Sequence, residues 1–246
     1  MKNDPAVIII NLAEKDVGFR LQRTGTELWF RRYKDTKSDP HCIIDWFSVA
    51  DRSIEEHIRE NRSTPEFAEF SCLMELAADY LTRYDRFLFH GVAFLHNRNA
   101  YLLTAPSGTG KSTQFRNLKR LFGDSYRIIC GDKPVLWQKQ EGVFEVYPSP
   151  WNGKEGWGSL ENGLLKAIIV LEQGDRNALR VLNPEGAALP VLEQIICSAP
   201  DLDTVRRICA FAEQLIENVQ IFSFVNKGDA ASSIMLDKLI EKLEDR

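Results

Sequence analysis

The stretch 104-TAPSGTGKST-113 decides how the rest of the chain is read. It follows a strand-like run, 100-AYLLT-104, and leads into 111-KSTQFRNLKRLF-122, where Phe115, Leu118, Leu121 and Phe122 recur at helical spacing. Strand, glycine-rich loop, Lys-Ser and helix is the order of the phosphate-cradling pattern G-x-x-x-x-G-K-[ST], with Ala105 in place of the first glycine. In such a loop the backbone N–H groups at a helix N-terminus form an anion nest. The expected nucleotide contacts are Ser107, Gly108, Thr109, Gly110, Lys111, Ser112 and Thr113. Lys111 would neutralise the β- and γ-phosphate oxygens, and the Ser112 hydroxyl would join a magnesium shell.

One helix and one strand further on, 127-RIICGDKPVL-136 places Asp132 at the end of an apolar strand. A strand-end carboxylate opposite a phosphate loop is a common way to fix magnesium. Ser112 and Asp132 are therefore the expected metal ligands. The same four residues, 131-GDKP-134, are also good turn chemistry.

Upstream, 7-VIIINL-12, 17-VGFRLQ-22, 27-ELWFRRY-33 and 42-CIIDWF-47 are short apolar runs separated by turn residues, which predict a small antiparallel sheet. A short helix is expected over 54–62. The next helix is expected from an N-cap at Ser63 or Thr64, with Pro65 in its first turn and an apolar stripe at Phe67, Phe70, Leu73, Met74, Ala77 and Leu81 facing the core. Residues 1–85 thus read as a small N-terminal α+β region and 86–246 as the loop-bearing core. In the core, strands are expected over 86–97, 99–105, 126–130, 134–138, 143–147, 166–173, 178–182 and 220–225. Helices are expected from Lys111 and over 184–196, 202–217 and 229–243. Strands and helices without strict alternation predict a mixed-sheet α/β fold.

Of the 246 residues, 44% are hydrophobic and 27% charged, and the net charge of -4 offers no basic field to nucleic acid. No apolar run approaches the roughly 20 residues of a membrane span. The start MKNDPAVIII has no secretory apolar region. Five scattered cysteines form no CxxC pair, so a reduced, cytoplasmic protein is expected.

Taken together, 90-HG-91, 105-APSGTGKST-113, 131-GDKP-134 and 148-PSPWNGK-154 resemble the HPr kinase/phosphorylase and PEP-carboxykinase-like superfamily. The nearer likeness is to bacterial HPr-kinase-related peptide and serine kinases, including those that tailor lasso peptides. It is specific over residues 86–172. The resemblance implies a mixed-sheet P-loop kinase core of the HPr kinase/PEP carboxykinase type, with ATP and Mg²⁺ as cofactors. It implies transfer to a serine hydroxyl on a peptide or protein, a ribosomal peptide precursor among them. An NTP-hydrolysing regulator and a free-serine or small-molecule kinase are the alternatives. The implied partners are the nucleotide and the serine-bearing substrate, without nucleic acid or membrane, and a homo-oligomer is in keeping with the family.

The HPr enzymes carry two adjacent aspartates at the strand end, the first assigned as general base and the second as metal ligand. Here that pair reads Gly131-Asp132. The catalytic candidates are therefore His90 at the HG position, Asp132 in a double role, and Lys154 on the transferring phosphoryl group. In 148-PSPWNGKEGWGS-159 the glycines read as sources of mobility, Glu155 as an aid to metal or a basic substrate, and the tryptophans either as flat binding surfaces or as core anchors. His41, His57 and His96 read as surface residues.

Overall fold

The computed structural model describes residues 7–35, 39–45, 51–198 and 200–245, with the backbone alone at 51–54 and 61. It is a mixed α/β structure carrying two sheets. The first contains β1 (Val7–Asn11), β2 (Asp16–Arg20), β3 (Lys34–Asp35) and β4 (Cys42–Asp45), in the order β3-β1-β2-β4. β1 runs antiparallel to β2 and β3, but β2 and β4 are parallel, so the sheet is mixed rather than antiparallel. The difference arises at 27-ELWFRRY-33. This run is a helical turn, α1 (Glu27–Phe30), continued by a 3-10 turn over 31–33. Helical winding puts Phe30 and Tyr33 on one buried face, where a strand would have placed them on opposite faces. Trp46 and Phe47, read as a strand end, lie outside the described residues.

Helices α2 (Asp51–Asn61) and α3 (Pro65–Thr82) follow, α2 beginning three residues before its expected start. α3 begins as its sequence predicts, with Thr64 Oγ1 accepting from the Phe67 N–H and Pro65 in the first turn. Phe70, Leu73, Ala77 and Leu81 are buried, but Phe67 and Met74 are not fully covered. Glu69 is fully buried and holds α3 to the turn before α1. Its carboxyl oxygens accept from the N–H of Gln22 (2.6 Å), the N–H of Arg23 (3.2 Å) and the Thr26 hydroxyl (2.5 Å). Glu69→Ala strands all three donors and is expected to cost roughly 3 kcal/mol, read as a lower urea midpoint at unchanged slope.

The second sheet comprises β5 (Arg86–Leu88), β6 (Gly91–His96), β7 (Asn99–Thr104), β8 (Tyr126–Cys130), β9 (Val135–Gln140), β10 (Val143–Tyr147), β11 (Gly163–Gln173), β12 (Ala178–Val181) and β13 (Gln220–Asn226). Its order is β5-β9-β10-β11-β7-β6-β8, with β13 also on β11 and β12 outside β13. β11 runs parallel to β7 and β13. The central residues of these strands are largely apolar, in keeping with helices that cover both faces. Helices α4 (Lys111–Phe122) and α7 (Ala230–Glu244) pack over Tyr101, Leu103 and Ile169, while α5 (Pro184–Leu192) and α6 (Leu202–Asn218) pack over Leu102, Ile168 and Val170.

The expected strand 86–97 is two strands. It breaks at Phe89 and His90, where β5 joins the β9 edge and β6 enters between β7 and β8. The N-terminal sheet and α3 share a core with Leu88, Val135, Tyr147 and Trp151 at that edge. Among the described residues no helix is long and apolar enough to cross a membrane.

Candidate active site

The glycine-rich loop joins β7 to α4. Helices α3, α5, α6 and α7 begin at side-chain caps, Thr64, Asn183, Asp201 and Asp229. α4 begins at Gly110, with φ 105° and no side-chain acceptor, so its first N–H groups are open to an anion. Ala105 fits in place of the first glycine: its side chain is buried and its carbonyl accepts from Lys111 Nζ at 2.7 Å. The Pro106 carbonyl accepts from the same ammonium at 3.2 Å. Burial pushes Lys111 down to about 8, against the pull of Asp132 and with the help of Lys133. The ammonium is thus poorly solvated, which strengthens its attraction for an added phosphate.

Two supports of the loop carry no sequence motif. Gln173, at the end of β11, donates to the carbonyls of Gly108 and Thr109 at 3.4 Å each. Gln114 bonds to Ser233 and Ser232 at 3.2 Å each, pinning α4 to α7.

Asp132 faces this loop from the end of β8. The Gly91 N–H donates to the Asp132 carbonyl (2.8 Å), the Gly131 N–H to Trp157 (2.8 Å) and the Lys133 N–H to Trp151 (3.0 Å). The motifs 90-HG-91 and 131-GDKP-134 are therefore two halves of one junction. Asp132 Oδ1 lies 3.0 Å from Lys133 Nζ and 3.4 Å from His90 Nε2. The His90 N–H donates to the Gln194 carbonyl at 2.7 Å, and its own carbonyl accepts from Thr104 Oγ1 at 2.8 Å.

Burial, then Lys133 and Lys111, push the His90 imidazole down to about 4, outweighing Asp132 and Gln194. The ring is neutral near pH 7. Unfolding returns it to its ordinary 6.5, so between pH 6.5 and about 4 the unfolded chain binds the extra proton. Stability contributed by the neutral buried ring is present above that window and lost as pH falls through it. His90→Gln is expected to flatten this part of the profile, measured as melting temperature from pH 7 to pH 4.

The segment 148–158 closes over the junction and explains Gly131. A Cβ on Gly131 would lie 2.7 Å from the Asn152 carbonyl oxygen and 3.0 Å from that of Trp157. The space an aspartate side chain would need is filled by backbone. Ser149 Oγ donates to the Lys133 carbonyl (2.5 Å), Trp151 Nε1 to Phe70 (3.0 Å) and Asn152 Nδ2 to Tyr33 Oη (2.8 Å). Trp151 is thus a core anchor, packed among Phe19, Phe30 and Phe70. Trp157 lies against Phe115, with Arg116 over its ring. The glycines sit in an anchored segment, of which residues 153–156 are exposed. Gly153 touches the site, since a Cβ there would lie 2.9 Å from Asp132 Cβ. Glu155 is engaged by Arg116 at 2.9 Å.

These elements enclose a cleft of about 450 Å³. Ser107, Gly108, Gly110, Lys111, Ser112 and Thr113 line it, and so do His90, Asp132 and Lys154. Thr109 does not; its hydroxyl turns back to the Pro106 carbonyl at 2.8 Å. His96, read as a surface residue, is largely buried, 3.6 Å from Glu244.

No family model matches the chain, and no curated protein does. Among solved structures the chain aligns with the Hpr(Ser) kinase/phosphatase from Coxiella burnetii, at 10% identity and a TM-score of 0.37, over 63% of this chain and 94% of that one. A likeness this loose assigns no role to any residue.

Proposed function

We propose that this chain is an ATP-dependent kinase that phosphorylates a serine-type hydroxyl on a peptide or protein. The observation that carries the proposal is the meeting of Lys111, Asp132 and His90 in one cleft, beneath the uncapped N-terminus of α4. Phosphate oxygens would replace the Ala105 and Pro106 carbonyls as partners of Lys111 and would accept from the open N–H groups of α4. The γ-phosphorus bonds to the acceptor oxygen as its bond to the β–γ bridging oxygen breaks, and ADP leaves. The acceptor proton passes to the His90–Asp132 pair, and Lys154 at the rim faces the charge on the moving phosphoryl group. A loose transition state of this kind asks for position and charge more than for a strong base.

Among the described residues no group of three or more His, Cys, Asp or Glu side chains gathers to hold a metal. Of the two carboxylates lining the cleft, Glu155 is held by Arg116 and Asp132 faces the loop. One such carboxylate with one hydroxyl suits Mg²⁺, which takes few protein ligands and completes its shell with phosphate and water. Ser112 and Asp132 would hold it, and when bound it neutralises phosphate charge.

The test is incubation with labelled ATP, Mg²⁺ and serine-bearing peptides. Wild type is expected to label peptide and Lys111→Ala to label none. ATP loss without a labelled acceptor would replace the kinase with a hydrolase.

A further inference from the structure

A second chamber of about 650 Å³ opens beside the first. Phe67, Asp132, Asn152, Gly153 and Lys154 line both, so the two form one continuous cleft. The new walls come from α1, α3 and the segment 150–156. Part of the lining is apolar: Trp29, Phe67, Phe70 and Met74. Trp29 stacks on Phe70 with ring centroids 5.0 Å apart, yet it remains 38% exposed and Phe67 44%. Such large apolar groups left open beside a site point to a ligand that covers them. The charged part of the lining is cationic, with Arg31, Arg32, Lys133 and Lys154 against the single carboxyl of Asp132. Lys133 is already paired with Asp132, and Arg32 donates to the Gly158 carbonyl. Among the described residues, no carboxylate pairs with Arg31 or Lys154.

We infer that this chamber binds the phosphate acceptor, and that the acceptor is a peptide segment presenting a large apolar side chain and a carboxylate beside its hydroxyl. The inference rests on the kinase proposal above and narrows its substrate. Free serine has a carboxylate but nothing to cover Trp29 and Phe67, and its ammonium would meet the cationic wall. An apolar neutral peptide would leave Arg31 unanswered. The amphipathic acidic segment answers both walls while its hydroxyl reaches Asp132, where the two chambers meet. The N-terminal region thereby acts as the substrate-recognition element of the core.

Calorimetric titration of the full chain, with ADP and Mg²⁺ present, uses three probes: a blocked tripeptide of phenylalanine, serine and aspartate; one of alanine, serine and lysine; and free serine. The first is expected to bind at least about tenfold more tightly than the other two. Arg31→Glu is expected to weaken it about fivefold or more and to favour a phenylalanine-serine-lysine probe instead, whereas Arg31→Lys keeps the wild-type order. Trp29→Ala is expected to erase the preference for phenylalanine over alanine. Equal binding of all three probes, binding of none, tighter binding of free serine, or an order untouched by Arg31→Glu overturns the inference. Nucleotide binding is followed separately as the rise in melting temperature with ATP. Its absence in wild type sinks the kinase proposal, while the probe order still decides the chamber.

Discussion

Asp132→Asn is expected to lower phosphoryl transfer by at least about 10³-fold, some 4 kcal/mol of barrier, with a melting temperature within a few degrees of wild type. The substitution is nearly isosteric, and the bond from the Gly91 N–H to the residue-132 carbonyl is untouched. The amide oxygen still accepts from Lys133. What disappears is the negative charge between three groups. Lys111 and Lys133 lose their compensating partner, and His90 loses the neighbour that most favours its protonated form. The cleft also loses the carboxylate proposed to hold Mg²⁺. Initial rates with labelled ATP across Mg²⁺ concentrations separate these losses. A rate partly recovered at high Mg²⁺ assigns the residue to metal binding, and a rate that stays low assigns it to the acceptor hydroxyl. His90→Gln is expected to cost less, about 10²-fold, and to leave the Mg²⁺ dependence alone. An Asp132→Asn enzyme as active as wild type would remove the residue from the chemistry.

The parts of this molecule legible in its sequence are those whose chemistry is local. Strand, glycines, Lys111 and helix are consecutive, so the loop and the start of α4 follow from spacing alone; of the expected apolar face Phe115 and Leu118 are buried, whereas Leu121 is exposed. The Thr64 cap and the apolar stretches of β7 and β11 are equally local. What could not be read depends on partners far along the chain. The run 27–33 has strand-like composition, and it turns helical because Phe30 and Tyr33 must both reach the core shared with Phe70 and Trp151. Nothing near Glu69 marks it as the acceptor for donors 43 to 47 positions away. The α3 stripe shows which face is apolar but not how much of it is covered, and Phe67 and Met74 are left incompletely covered. The break at His90 is likewise invisible in an apolar run, because it is set by which neighbours β5 and β6 find. Gly131 is the most instructive case. As sequence it is an aspartate missing from a pattern, and in the fold it is a contact point for the backbone of 148–158.

Gly131→Asp is for that reason expected to damage the site rather than restore a second acid. Its Cβ would enter the space held by the carbonyls of Asn152 and Trp157, and backbone cannot swing aside as a flexible side chain can. The Gly131 N–H bond to Trp157 at 2.8 Å would be strained by the same displacement. Overpacking a buried site costs about 1–3 kcal/mol, and a carboxyl driven against carbonyl oxygens adds a desolvated polar group to that. The disturbance does not stop there, since the segment carries Gly153 against Asp132 and Lys154 to the rim. Transfer is therefore expected to fall about 10²-fold or more, in line with a small misplacement of catalytic groups. Gly131→Ala isolates the steric part: it should lose most of the same stability without adding an acid, as read from urea midpoints beside initial rates. A Gly131→Asp protein as stable as wild type and faster in transfer would show that 148–158 yields, and that the cleft accepts the second carboxylate after all.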